Sequence, residues 1–288
     1  MTTSARTNKY SFSPSESVRF SDLARQRILS IKSDPFLLAD WKDVVFLHFV
    51  LRPEILRPLV PAPLELELYE GNACVSLIAL TMRRFRPFRR NSVLGWIFSP
   101  LRQQSFLNVR TYVRWQGEPG ALFLWGWLSK PFGLGLPLEK IGLPSGFCRL
   151  EYDHSCEKGR FVGLVREGRR NFKYQATIVA QTEGKTCAAG SLAEFAMERY
   201  TGFFFRGTQP DIFRAWHEPW LQMPLDLKIE EDSLLLEKFP WFKQAEFVGA
   251  NFAPGFDRVW LGQAHQLAKA ALPGTTKRSI LSAFYEMP

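Results

Sequence analysis

Five runs rich in β-branched and aromatic residues, at 44–51, 73–82, 107–115, 121–129 and 172–181, constrain the fold more than any other feature. Each has the length of a strand, and clusters such as Gln116-Gly117-Glu118-Pro119-Gly120 punctuate them. Strands at these intervals suit antiparallel pairing. An open sheet would leave two edges of unpaired backbone, and closure removes them. The expected fold class is therefore α+β, mainly β, with a closed antiparallel barrel and a few flanking helices. With 288 residues, 46% of them hydrophobic and 14% aromatic, the chain can fill the core this requires. No apolar run reaches the ~18–20 residues that span a bilayer. Residues 1–19 lack an apolar core segment, so a secretory leader is not expected.

Helices are few. Arg52-Pro53-Glu54 to Arg57 has the form of one helical turn with proline at its start. Residues 192–200 are the clearest internal helix, with Gly190-Ser191 as stop and cap. Ser21 caps a short helix whose apolar face carries Phe20, Leu23, Ala24, Ile28 and Ile31. Residues 1–18, rich in Ser, Thr and basic side chains, are expected to be disordered. The expected organisation is a tail and short helix at 1–35, a barrel domain at 36–262 and a basic extension at 263–288.

The net charge of +9 is concentrated in one stretch. Arg83, Arg84, Arg86, Arg89 and Arg90 interleave with Phe85 and Phe88, and Trp96, Ile97, Phe98 and Arg102 follow. The first reading is a solvated connector with its aromatics turned back on the core. The second sets Arg84, Arg86 and Arg89 on anionic headgroups, with Trp96 and Phe98 at the lipid boundary. A nucleic-acid stacking platform comes third. Cys74, Cys148, Cys156 and Cys187 form no CxxC pair and fit free thiols in a reducing cytoplasm, with peripheral membrane attachment as the alternative. His154 and His265 stand at no useful ligand spacing, so no metal is expected. Phosphate loops, nucleophile elbows and dinucleotide fingerprints are missing, and no cofactor is expected.

The segment Leu138-Glu139-Lys140-Ile141-Gly142-Leu143-Pro144 resembles the loop that precedes a lysine pair in the acetoacetate decarboxylase superfamily. Residues 50–65, containing Leu51-Arg52 and Val60-Pro61-Ala62-Pro63-Leu64-Glu65, resemble a segment near that superfamily's start. Four further pieces are more closely similar to a bacterial family of the same superfamily, often called YqjF-like. They are Trp41 with Phe46-Leu47-His48-Phe49, then Asn108-Val109-Arg110-Thr111-Tyr112-Val113, then 190–200, then Trp216-His217-Glu218-Pro219-Trp220. They run in the family's order from about residue 41 to about residue 262. The superfamily's chemistry rests on a buried lysine, its pKa lowered by the cation beside it, that attacks a ketone to form a Schiff base. Matching on Pro144 places Ser145 and Gly146 where the lysines stand. A hydroxyl cannot form an imine. The resemblance also puts Leu138 at the loop's arginine, Val50 at a first-strand arginine and Leu107 near a cavity carboxylate. So many polar positions turned aliphatic or small point to an apolar ligand and away from decarboxylation.

Two functions are carried forward. The first is a barrel that binds a small, largely apolar carboxylate or carbonyl compound, with Arg110, Ser145, His217 and Trp220 as ligand contacts. The second is an enzyme acting on such a compound, with Glu139 and His48 as proton carriers. A membrane-associated scaffold using residues 83–102 is the third reading. Each residue has a plainer role beside it: His48 as a satisfied core histidine, Arg110 as a structural anchor, His217 and Trp220 as parts of a packed lid. The small molecule is the expected partner, and oligomerisation is left open.

Lys130 and Lys140 lie near the altered loop in polar surroundings. A lysine without desolvation or a neighbouring cation stays protonated and unreactive at neutral pH. Borohydride treatment with acetoacetate should therefore leave the intact mass unchanged. A stoichiometric adduct on any lysine would restore the Schiff-base reading.

Overall fold

The computed structural model describes residues 14–32, 34–88, 103–129, 143–179, 184–206 and 209–267. The fold is mainly β. The first half contributes β1 (Leu37–Leu51), β2 (Glu65–Leu66), β3 (Leu68–Tyr69), β4 (Asn72–Pro87), β5 (Gln103–Trp115) and β6 (Glu118–Leu128). Next come β7 (Ser145–Phe147), β8 (Arg149–Ser155), β9 (Arg160–Glu167), β10 (Arg170–Ile178) and β11 (Lys185–Thr186). The last are β12 (Thr201–Arg206), β13 (Gln209–Trp216), β14 (Leu221–Glu231), β15 (Glu246–Leu261) and β16 (His265–Gln266). The helices are α1 (Pro14–Ser30), α2 (Pro53–Leu56), α3 (Leu192–Met197) and α4 (Ser233–Lys238).

The main path of the sheet runs β16-β13-β12-β6-β5-β4-β1-β15-β14-β10-β9-β8, and β13 also pairs with β15. Most pairs are antiparallel, as expected, but two are parallel. β6 offers one edge to two segments: β12 beside Ala121 and Leu122, and β7 beside Gly126 to Leu128. Both arrive by long connections rather than hairpins, and a long connection permits either direction.

The middle parts of the central strands β1, β4 and β5 are buried on both faces. Val45, Leu47 and Phe49 on β1, with Val75 and Leu77 on β4, pack with Phe161, Phe172, Leu225 and Leu234 in one core. Val44 and Phe46 face the other way, with Ile78, Leu80 and Phe106, toward Met197, Phe204, Phe213 and Trp220 in a second core. Fully burying each such side chain contributes roughly 1.5–3 kcal/mol, so the two cores dominate the stability of the fold.

Two expected helices are corrected. Ser191 does cap α3, its Oγ accepting from the Glu194 N–H at 3.1 Å, but the helix stops at Met197 instead of residue 200. Glu198 leaves helical geometry at φ −81 and ψ 65. The Tyr200 carbonyl already accepts from the Ala215 N–H at 2.9 Å, so the chain has joined the β12–β13 ladder. Ser21 lies inside α1 and does not cap it. Its hydroxyl donates to the His217 carbonyl at 2.8 Å and anchors the helix, with Ile28 and Ala24 buried and Arg25 over the Trp216 and Trp260 rings. Residues 14–18, expected to be disordered, are instead the first part of α1, while residues 1–13 and those beyond 267 lie outside the described residues.

At one end of β1 the buried Asp40 carboxylate accepts from the Arg258 N–H at 3.0 Å, from Arg86 at 3.3 Å and from Arg84 Nε. Arg84 also reaches Asp257 at 2.7 Å. Asp40→Ala would leave a backbone donor without its acceptor and two arginines without their shared anion. The expected loss is about 1–3 kcal/mol, read as a lower urea midpoint at unchanged m-value.

Candidate functional site

The second core is not filled. A cavity of about 80 Å³ lies between β1, β4, β5 and β6 on one side and the segment from Met197 to Gly202, β13 and Trp220 on the other. An engineered cavity of about 150 Å³ admits benzene, so this space suits several waters or a small organic molecule. Its wall is largely apolar, contributed by Val44, Phe46, Ile78, Leu80, Phe106, Phe123, Leu143 and Phe213 among others. The polar side chains on it are Asn108, Arg110, Arg199, Tyr200, Thr201 and His217. Strand alternation explains the pairing of Asn108 with Arg110: they sit two apart on β5 and share the face that carries Phe106 and Tyr112.

Several of these groups are committed to the protein. Arg199 donates to Glu67 at 2.6 Å and lies over Phe195. Thr201 and Arg214 both hold Glu118. His217 is stacked between Tyr200 and Phe256, at 4.7 and 4.9 Å between centroids, and its Nδ1 donates to the Glu218 carbonyl at 2.7 Å. Tyr200 donates to Glu198 at 2.6 Å, and the other Glu198 oxygen accepts the Trp220 N–H at 2.9 Å. Burial pushes the Glu198 carboxyl up to about 7.

Arg110 is different. It donates to the Ala196 carbonyl at 2.6 Å, yet its Nε is buried and meets no acceptor, and among the described residues it forms no ion pair. Burial lowers its pKa, and the charge of Arg199 acts in the same direction. The same guanidinium helps hold His48 and His217 neutral. Three other buried polar atoms on the cavity wall also lack partners: Asn108 Oδ1, Trp41 Nε1 and Trp220 Nε1.

Arg110 begins a polar row that crosses the sheet. Its guanidinium lies against Tyr112, whose hydroxyl supports the charge and donates to Ser76 Oγ at 2.6 Å. Ser76 is 2.8 Å from His48 Nδ1, and His48 Nε2 is 3.1 Å from Asn251 Oδ1. Asn251 in turn donates to Gln222 Oε1 at 2.6 Å. An amide oxygen only accepts, so the proton of His48 is on Nε2 and Nδ1 accepts from Ser76. Every bond then points the same way, from β5 through β4, β1 and β15 to β14.

The expected site residues are thus distributed. Arg110, His217 and Trp220 stand on the cavity wall, and His48 lies off it, joined to Arg110 through Ser76 and Tyr112. Ser145 pairs beside Gly126 on β7 and is not on the wall, whereas Leu143 is. A Cβ on Gly146 would lie 3.2 Å from Trp125, whose ring is capped by Lys238 Nζ at 3.5 Å. At Gly146, one of the two positions expected for the lysine pair, the indole of Trp125 leaves little room for a side chain. Arg84 and Arg86 are bound to Asp40 and Asp257. Glu139, Arg89, Trp96 and Phe98 lie outside the described residues. Among the described residues no helix is long and apolar enough to cross a membrane. Asn108, Trp41, Glu198 and Tyr200 stand in the pieces that resemble the family but were not among the expected site residues. Asn108 two residues before Arg110, on the same face of one strand, was the available signal.

Burial pushes His48, His154 and His217 down to about 4 from an ordinary 6.5. Between these values the unfolded chain binds protons that the folded chain does not. Their contribution to stability is complete above pH 6.5 and lost as the pH falls toward 4. Each histidine should forfeit on the order of 2–3 kcal/mol, a steep acid limb in urea midpoints against pH. Glu198 acts oppositely, since its raised carboxyl favours the fold below its ordinary 4.5 and loses that effect as the pH rises through about 7. Three histidines outweigh one carboxyl, so a midpoint that stayed level from pH 6.5 to 4.5 would contradict this assignment.

Residues 38–251 match the family DUF2071, described as an uncharacterized conserved protein. The uncharacterized protein YqjF of Bacillus subtilis (strain 168) is 33% identical over 100 residues, which is 34% of this chain. That match spans 39% of the relative's own length. Among solved structures, acetoacetate decarboxylase from Legionella pneumophila aligns with a TM-score of 0.58 at 13% identity, over 81% of this chain and 87% of that one. The enduracididine biosynthesis enzyme MppR, complexed with the condensation product of pyruvate and imidazole 4-carboxaldehyde, aligns at 0.57 and 14%, over 82% and 90%. An acetoacetate decarboxylase-like enzyme from Sphingomonas wittichii RW1 aligns at 0.54 and 16%, over 82% and 94%. At these identities the likeness is one of fold.

Proposed function

We propose that this chain, which belongs to the DUF2071 family, binds a small, largely apolar carboxylate or carbonyl compound in the cavity beside Arg110, without Schiff-base chemistry. The observation that carries the reading is the buried Arg110 Nε, which no carboxylate meets among the described residues. A buried cation is costly unless an anion or hydrogen bonds compensate it, and an incoming carboxylate supplies both. The apolar wall favours the remainder of the ligand and limits its size to that of a short-chain acid. No lysine stands on that wall among the described residues. We take the pairing of β13 with β15 to close the strands into a barrel round this space. A carboxylate within this fold has a precedent in MppR complexed with pyruvate.

One observation favours an enzyme as the second reading. Glu198, held near 7 by burial, is joined to the cavity through Tyr200, an arrangement suited to passing a proton. It would take the role expected of Glu139. Turnover of a short-chain oxo acid, lost in Tyr200→Phe, would establish it.

Calorimetric titration with butyrate tests the binding reading. The wild type should bind it, and Arg110→Met, which keeps the bulk and removes the charge, should bind at least tenfold more weakly. Equal affinity in the two proteins would remove Arg110 from the site.

A further inference from the structure

We infer that the cavity selects a hydroxycarboxylate, with Asn108 reading the hydroxyl. This rests on the carboxylate reading and narrows it. Asn108 is 4% exposed and stands on the cavity wall two residues before Arg110. Its Nδ2 donates, at a long 3.5 Å, to the Ile78 carbonyl. That bond sets the amide orientation, because the nitrogen must face the carbonyl, and it leaves Oδ1 as a buried acceptor without a partner. The other unpartnered polar atoms of the wall, Arg110 Nε, Trp41 Nε1 and Trp220 Nε1, are all donors.

The complement of this wall is a molecule with several acceptor oxygens and one donor. A carboxylate answers the donors. A hydroxyl or an amine could answer Asn108, and charge decides between them. Arg110 and Arg199 are near enough to oppose each other's charge, and Arg110 also opposes protonation of His48 and His217. An ammonium would enter against that field, whereas a neutral hydroxyl would not. Side chains two apart on a strand stand ~6.5–7 Å apart at their Cα atoms, so head and hydroxyl fit one short chain. A site built around a hydrogen bond to substrate rejects the analogue that lacks the group, because its own polar atom then stays unpaired.

The test is ligand-observed NMR and calorimetry with butyrate, 2-, 3- and 4-hydroxybutyrate and 3-aminobutyrate on the full chain. At least one hydroxy isomer should bind tenfold or more tightly than butyrate, and 3-aminobutyrate should bind no more tightly than butyrate. In Asn108→Leu the ratio of hydroxybutyrate to butyrate affinity should fall to within threefold of unity. Butyrate binding as tightly as all three hydroxy isomers would overturn the role of Asn108 and leave the carboxylate reading standing. Failure of every acid to bind would overturn both. Tighter binding of 3-aminobutyrate would reverse the charge argument. The wild-type comparison decides the matter even if the variant does not fold.

Discussion

Burial of both faces of β1, β4 and β5 is the constraint from which the architecture follows. A strand with one wet face alternates; these do not, and each face demands its own cover. One cover is the layer of β8, β9, β10 and β14 with α4, filled by Phe161, Phe172, Tyr174 and Leu225. The other is α3, β12, β13 and Trp220, and this layer does not pack completely. Protein interiors normally leave few voids larger than a water. This void departs from that tendency, and four residues on its wall carry buried polar atoms that meet no partner among the described residues.

The strands were legible because their signal is local: runs of β-branched and aromatic residues, closed by turn residues. β1, β4, β5 and β6 appear where those runs lie, extended by several residues into polar flanks. The early end of α3 and the interior place of Ser21 in α1 were not legible, since both are decided by long-range bonds. Tyr200 pairs with Ala215, and Ser21 with His217, across 196 positions of sequence. Parallel pairing of β7 and β12 with β6 likewise has no local signature.

For the site, the sequence put Arg110, His217 and Trp220 forward, and the fold brings all three to one cavity. It could not show that His217 is enclosed between two rings while Arg110 meets no carboxylate among the described residues. Nor could it show the relation of His48 to Arg110, which passes through Ser76 and Tyr112 on two other strands. The loss of the lysine pair was legible as Ser145 and Gly146. That Trp125, under the Lys238 ammonium, stands beside Gly146 is a tertiary fact.

The single direction of the row from Arg110 to Gln222 has an electrostatic consequence. In each bond the hydrogen points away from Arg110, so each group turns its negative end toward the guanidinium. The bond dipoles add along the row, as peptide dipoles add along a helix, and chains of hydrogen bonds polarise one another. A cation that meets no carboxylate among the described residues is thereby solvated by five side chains spread over five strands. This is a diffuse counterion: it steadies the charge through the sheet and takes up none of the cavity, whose wall includes none of the five.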